Sequence, residues 1–253
     1  MAKSSEISHS KNVTNLETLI ITCAGFGVDY NPSNPNISLI SLKVLHDNAK
    51  LALKSVKEKE TNFNSIEGER KLKFAPVRPL ATKVLNALKA SSVMVTVIKD
   101  AETINRKIQG KRADNSTSTS QIEEKNIDNP DEEQMPSKDK KSVSQQSFDM
   151  QIDHLEKLIE LVSLEPKYAP NETPIKVDSL QSFKNELESL NTKVKASSTE
   201  YKIALNDRNT LFYAQETGLV ETTIQVKNYI KSVFGATSQQ YKQVSKLTFK
   251  NLS

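Results

Sequence analysis

The chain has 253 residues with 6 Gly, 8 Phe, one Cys, no Trp and 26% charged residues. That length allows one large or two small domains, and the shortage of glycine and aromatics argues against turn-rich sheets, so helix is expected throughout. The net charge of +4 hides a division: residues 40–112 carry 16 Lys or Arg against 7 acids, and residues 113–149 carry 4 against 9.

Residues 1–13 are rich in Ser and Lys and are expected to be a disordered N-terminus. From Asn15 the apolar set Leu16, Leu19, Ile20 and Cys23 has helical spacing, and it recurs 139 positions later as Leu155, Leu158, Ile159 and Val162. A valine in the matching column makes Cys23 a packing residue. A single cysteine excludes an internal disulfide and a cysteine metal cluster, which suits a reducing compartment. The run Leu19 to Val28 is too short to span a membrane and is broken by Gly25 and Gly27. The polar residues before it, with Glu6 and Glu17, do not resemble an export signal, so a cytoplasmic protein is expected.

Each short helix leads into a connector, Tyr30 to Asn36 or Tyr168 to Pro174. Asn34-Pro35 and Thr173-Pro174 place a capping side chain before a proline, a pattern that starts helices. Next comes a long seam. Leu180, Phe183, Leu187, Leu190, Val194, Tyr201 and Ala204 advance by threes and fours, with a polar step at Ser197. The same columns 138 positions earlier hold Leu42, Leu45, Ala49, Ala52, Val56, Phe63 and Ile66, with Lys59 at the polar step. Arg70 then matches Arg208, and Phe74 matches Phe212.

A lone striped helix leaves its stripe in water, so the chain must return to cover it. In the first copy the return is Leu80 to Ile108, after a break at Pro76 and Pro79, with Leu80, Val84, Leu88, Val95, Ile98 and Ile104 expected inside. In the second it is Leu219 to Phe234, after Gly218, with Leu219, Ile224, Val226, Ile230 and Val233. Either the 138 offset continues, or an offset of 126 pairs Thr96-x-Ile98 with Thr222-x-Ile224 and Ile104 with Ile230; the second is preferred. Gly235 suits a helix end. Thr237 or Ser238 can cap a last helix holding Tyr241, Val244 and Leu247, which has no clear partner in the first copy.

The expected organisation is therefore a first helical repeat over 14–108, a disordered acidic linker over 109–149, and a second helical repeat over 150–253. The fold class is all-α, with two homologous long helical hairpins packed as an elongated antiparallel bundle with pseudo-twofold symmetry.

Signs of chemistry are sparse. His9, His46 and His154 lack metal-ligand spacing, and Glu6-Ile7-Ser8-His9 occurs once where a di-iron bundle needs two such pairs. His154 matches Asn15, which suggests a capping or surface role. Phosphate-binding glycine loops and serine elbows are absent. Arg70 and Arg208 stand in equivalent seam positions, where they either set register with carboxylates, Glu69 and Asp207 or acids of the other copy, or line a shared anion site on the pseudo-symmetry axis. Arg106, Lys107, Lys111 and Arg112, supported by Lys71, Lys73, Arg78, Lys83 and Lys89, could contact nucleic-acid phosphates, although no aromatics are interleaved for stacking.

Asp100-Ala101-Glu102-Thr103-Ile104-Asn105-Arg106-Lys107-Ile108-Gln109-Gly110-Lys111-Arg112 and Phe234-Gly235-Ala236-Thr237-Ser238-Gln239-Gln240-Tyr241-Lys242 resemble segments in a group of bacterial helical proteins. The resemblance implies an all-helical duplicated fold and brings no activity, ligand or site residues. The expected function is a non-enzymatic scaffold or protein-interaction protein, monomeric or homodimeric, with no cofactor and no membrane contact. The alternative is a nucleic-acid-associated protein using the basic first repeat.

Overall fold

A computed structural model describes residues 2–111 and 146–252; most of the expected linker, Arg112 included, lies outside the described residues. Those residues form eight α-helices and no strand: α1 (Ala2–Gly25), α2 (Leu39–Phe74), α3 (Val77–Ala90), α4 (Val95–Gln109), α5 (Phe148–Ser163), α6 (Val177–Tyr213), α7 (Leu219–Phe234) and α8 (Gln239–Ser245). They divide into two compact units, residues 1–67 with 194–253, and residues 68–193. Each unit draws on both of the segments expected as repeats.

The seam lies inward as its spacing requires. Leu42, Ala49, Val56 and Phe74 are buried on α2, as are Leu180, Leu187, Leu190, Val194, Ala204 and Phe212 on α6. Leu45, Phe63, Phe183 and Tyr201 are half-buried. Within the second unit Arg70 bonds Asn191 and Lys73 pairs with Glu186, so the two long helices run antiparallel there. In the first unit the rings of Phe63 and Tyr201 stack with centroids 6.2 Å apart.

Helix α1 starts at Ala2 and covers residues expected to be disordered. The helical stripe continues backward through Val13, Asn12 and His9, all buried, and two of these columns are polar, which is why apolar periodicity missed them. Asn12 is spent on the chain's other end. Its Nδ2 donates to the Lys250 carbonyl at 2.8 Å, and its Oδ1 accepts from the Lys250 N–H at 3.0 Å. One turn on, Asn15 Nδ2 donates to the Thr248 carbonyl at 2.7 Å. A side-chain amide that pairs with both the N–H and the carbonyl of one residue stands in for a missing backbone partner. Asn12→Ala should release residues 248–250, a local loss of about 1–3 kcal/mol. Hydrogen exchange should then rise in that tail and stay unchanged in the second unit.

Both connectors close by the same bond. Tyr30 Oη donates to the Ile37 carbonyl at 2.6 Å, and Tyr168 Oη donates to the Ile175 carbonyl at 2.8 Å. A one-turn 3-10 segment precedes each long helix. Asn34 caps the first through the Asn36 N–H at 3.0 Å. Thr173 instead becomes the first residue of the second turn, with no side-chain cap before it. Helix α2 then takes its own cap from Ser38, whose Oγ accepts from the Ser41 N–H at 3.2 Å.

The return segments differ most from expectation. Leu80 to Ile108 forms two helices, broken at residues 91–94 where Ser92 adopts φ 51°. Val95, Ile224 and Val233, expected inside, are exposed. The preferred offset of 126 matches half-buried Ile98 to exposed Ile224 and half-buried Ile104 to fully buried Ile230. Helix α3 touches the 3-10 turn at Thr173–Ile175, and α7 touches the one at Pro35–Ile37. Val77, Ala81, Val84 and Leu88 on α3 are fully buried, and the residues 142 positions later, Leu219, Thr223, Val226 and Ile230, are fully buried on α7. Helix α7 thus buries the same spacing of four side chains as α3, after a longer turn. Helix α8, for which the sequence shows no clear counterpart in the first copy, packs on α7 and α1; α4 packs on α3 and α5. Ser238 is its cap, accepting from the Tyr241 N–H at 3.1 Å.

Candidate functional site

Among the described residues a polar array in the second unit centres on Arg70. Its Nη1 donates to Asn191 Oδ1 at 2.9 Å, and Asn191 Nδ2 donates to Asp149 Oδ1 at 2.7 Å. The guanidinium sits 4.0 Å from the centroid of the Phe148 ring, which meets Phe74 edge-on at 4.7 Å. Helices α2, α5 and α6 therefore meet through one cation, one amide, one carboxylate and two rings. A planar guanidinium is suited to stacking and in-plane bonding at once. The array ties the three helices together.

Arg208 belongs to the first unit and is buried, with Nε and Nη2 donating to Asn209 Oδ1 at 3.2 and 3.0 Å. The two arginines matched in sequence thus have different neighbours and belong to different units. Sequence reading did not find Asn191, Asp149 or Phe148, because spacing along one helix carries no record of which residues face it across a packed interface.

The basic cluster ends α4. Gly110 takes φ 72°, which lets the Lys111 N–H bond the Arg106 carbonyl and the Gly110 N–H bond the Lys107 carbonyl, each at 3.0 Å. This double closure satisfies the last carbonyls of the helix. Gln146 braces the same turn: its Nε2 donates to the Lys107 carbonyl at 3.1 Å, and its Oε1 accepts from Arg78 Nη2 at 2.6 Å. Of the supporting cations, Lys73 pairs with Glu186 at 2.5 Å and Lys89 with Glu102 at 2.6 Å. Arg106 is half-buried, whereas Lys107 and Lys111 are exposed. The pairs lower the local positive potential that phosphate binding draws on.

All three histidines are buried, contrary to the surface or capping role expected of His154. His154 lies on α5 with both ring nitrogens buried and without hydrogen-bond partners. Burial lowers its pKa; Asp153 opposes that shift, and Lys107 and Lys157 add to it. A ring held neutral in the native state leaves the unfolded chain to bind the extra proton, so stability should fall as pH drops below about 6.5. Denaturant midpoints at pH 7.5, 6.5 and 5.5 should show this slope, and His154→Leu should reduce it.

Cys23 is buried on α1, and burial pushes its thiol up to about 12. The native protein should therefore resist a thiol reagent at pH 8, with labelling appearing only once denaturant exposes the helix. Among the described residues no group of three or more His, Cys, Asp or Glu stands close enough to hold a metal ion. No described helix is long and apolar enough to cross a membrane. The chain matches no protein-family model, no curated protein and no solved structure.

Proposed function

We propose that this chain is a non-enzymatic helical scaffold that works by presenting helix surface to a protein partner. We further propose that it arose by duplication of one helical unit, with the two halves related by a pseudo-twofold axis. The observation that carries the functional reading is where the reactive and the apolar groups lie. Cys23, His9, His46, His154 and Arg208 are buried, while large apolar residues such as Ile40, Leu51 and Leu72 stand exposed on helices. Groups that could do chemistry serve packing, and groups that packing would normally hide are left for contact.

The duplication is supported by the matched seams, by the two tyrosine-closed connectors and by the paired buried columns of α3 and α7. The chain, tagged and cross-linked in its own cells, should carry a protein partner in fixed stoichiometry. Turnover of a substrate that is lost in Arg70→Met or Arg208→Met would overturn the reading. So would nucleic acid retained at physiological salt by the intact protein and lost on reversing Arg106, Lys107 and Lys111.

A further inference from the structure

The exposed face of α2 carries a feature that the fold does not use. Ile40, Val44 and Leu51 are 78%, 54% and 62% exposed, and at 100° per residue they fall within about 40° of one another on the helix. They make a straight apolar stripe. Lys43, Lys50, Lys54 and Lys57 are all exposed and flank the stripe on one side, with the exposed Asp47 set between them and the stripe beside His46. Lys54 also reaches Glu58, 3.7 Å away, where the stripe ends.

The equivalent helix folds without either element. The positions 138 residues later on α6 hold Asp178, Ser182 and Ser189 in place of the three apolar residues. Gln181, Glu188 and Thr192 replace three of the four lysines, and only Lys57 keeps a cation, at Lys195. All three stripe equivalents are exposed, so this face is solvated in the second copy. Stripe and lysine row are present together in the first copy and missing together from the second, as two parts of one contact would be.

Resting on the interaction reading above, we infer that this face of α2 docks an acidic amphipathic helix from a protein partner. A seam of apolar residues flanked on one side by like charges is how a helix selects a partner helix, with the apolar residues giving contact and the charges giving orientation and choice. The row of lysines calls for Glu or Asp at the matching edge of the partner. The stripe exposes roughly 300–400 Å² of apolar surface, the size of a functional patch and well below the ~800 Å² per partner of a stable homodimer. One docked helix of three to four turns fits it, and a second copy of this chain does not.

The test uses the full chain and a labelled 21-residue helical peptide with leucine at its seam and glutamate along one edge, read by fluorescence anisotropy. The same peptide with lysine for glutamate is the control. Binding should favour the acidic peptide, weaken with added salt, and fall by about tenfold or more in the triple variant Ile40→Asp, Val44→Ser, Leu51→Ser. That variant borrows the residues of the second copy, and circular dichroism would confirm that it stays helical. Equal binding of both peptides, or binding unaffected by the triple variant, would overturn the inference. So would anionic phosphatidylserine vesicles capturing the chain through this face while the acidic peptide does not, or a dimer in solution that the variant dissociates. If cross-linking in cells finds a stoichiometric protein partner that the triple variant still binds, this surface is wrong and the scaffold reading survives. If no protein partner is found, both fall.

Discussion

Phe212→Ala should lower stability by about 3–5 kcal/mol, among the largest losses a single side chain can cause here. Phe212 is fully buried in the first unit, and its ring meets His9 edge-on at 5.6 Å and Tyr213 at 5.8 Å. Tyr213 Oη in turn lies 2.7 Å from His9 Nδ1. Truncation would open a cavity beside a buried polar pair, where collapse is resisted because His9 and Tyr213 must keep their bond. A large part of the 5–15 kcal/mol that holds a domain together would be gone. A urea titration should show a lower midpoint, and hydrogen exchange should rise first in α1 and the end of α6. A loss under 1 kcal/mol would mean the site repacks freely.

Gly218→Ala should cost about 2–3 kcal/mol even though only a methyl is added, as overpacking against a rigid neighbour does. Gly218 sits in the turn from α6 to α7, and a Cβ there would stand 2.6 Å from both the nitrogen and the carbonyl oxygen of Ala214. Those are backbone atoms, and the Gly218 N–H already bonds the Ala214 carbonyl at 2.8 Å, so the turn cannot open without losing its closure. Its φ of −66° is ordinary, which makes the requirement one of space and not of backbone conformation. Thermal unfolding would check it, with Gly25→Ala as the control, because a Cβ at Gly25 meets nothing within 4 Å.

Much of the fold was legible because burial leaves a periodic trace. The long helices were expected from the seam, and they run over Leu39–Phe74 and Val177–Tyr213. The capping role of Ser238 and the helix end at Gly235 were readable for the same local reason. The start of α1 was not, because His9 and Asn12 hide polar atoms by pairing with Tyr213 and with the backbone of Lys250. Neither partner is near in sequence. The candidate site was less legible still: Arg70 could be singled out, but Asn191, Asp149 and Phe148 could not. The basic cluster was visible as composition, while the ion pairs of Lys73 and Lys89 required knowing which acids stand opposite.

By itself the amino-acid sequence determined which face of each helix is apolar, since side chains at steps of three and four share a face by covalent geometry. It also holds two matching seams 138 positions apart. Only the tertiary structure decided what covers each face: that α4 lies against α3 and α5, that α8 lies against α7 and α1, and that each compact unit is assembled from parts of both halves of the sequence. Apolar burial is non-directional, so a stripe states that it needs a cover without naming one. Volume, turn length and the few polar bonds that must be satisfied make that choice.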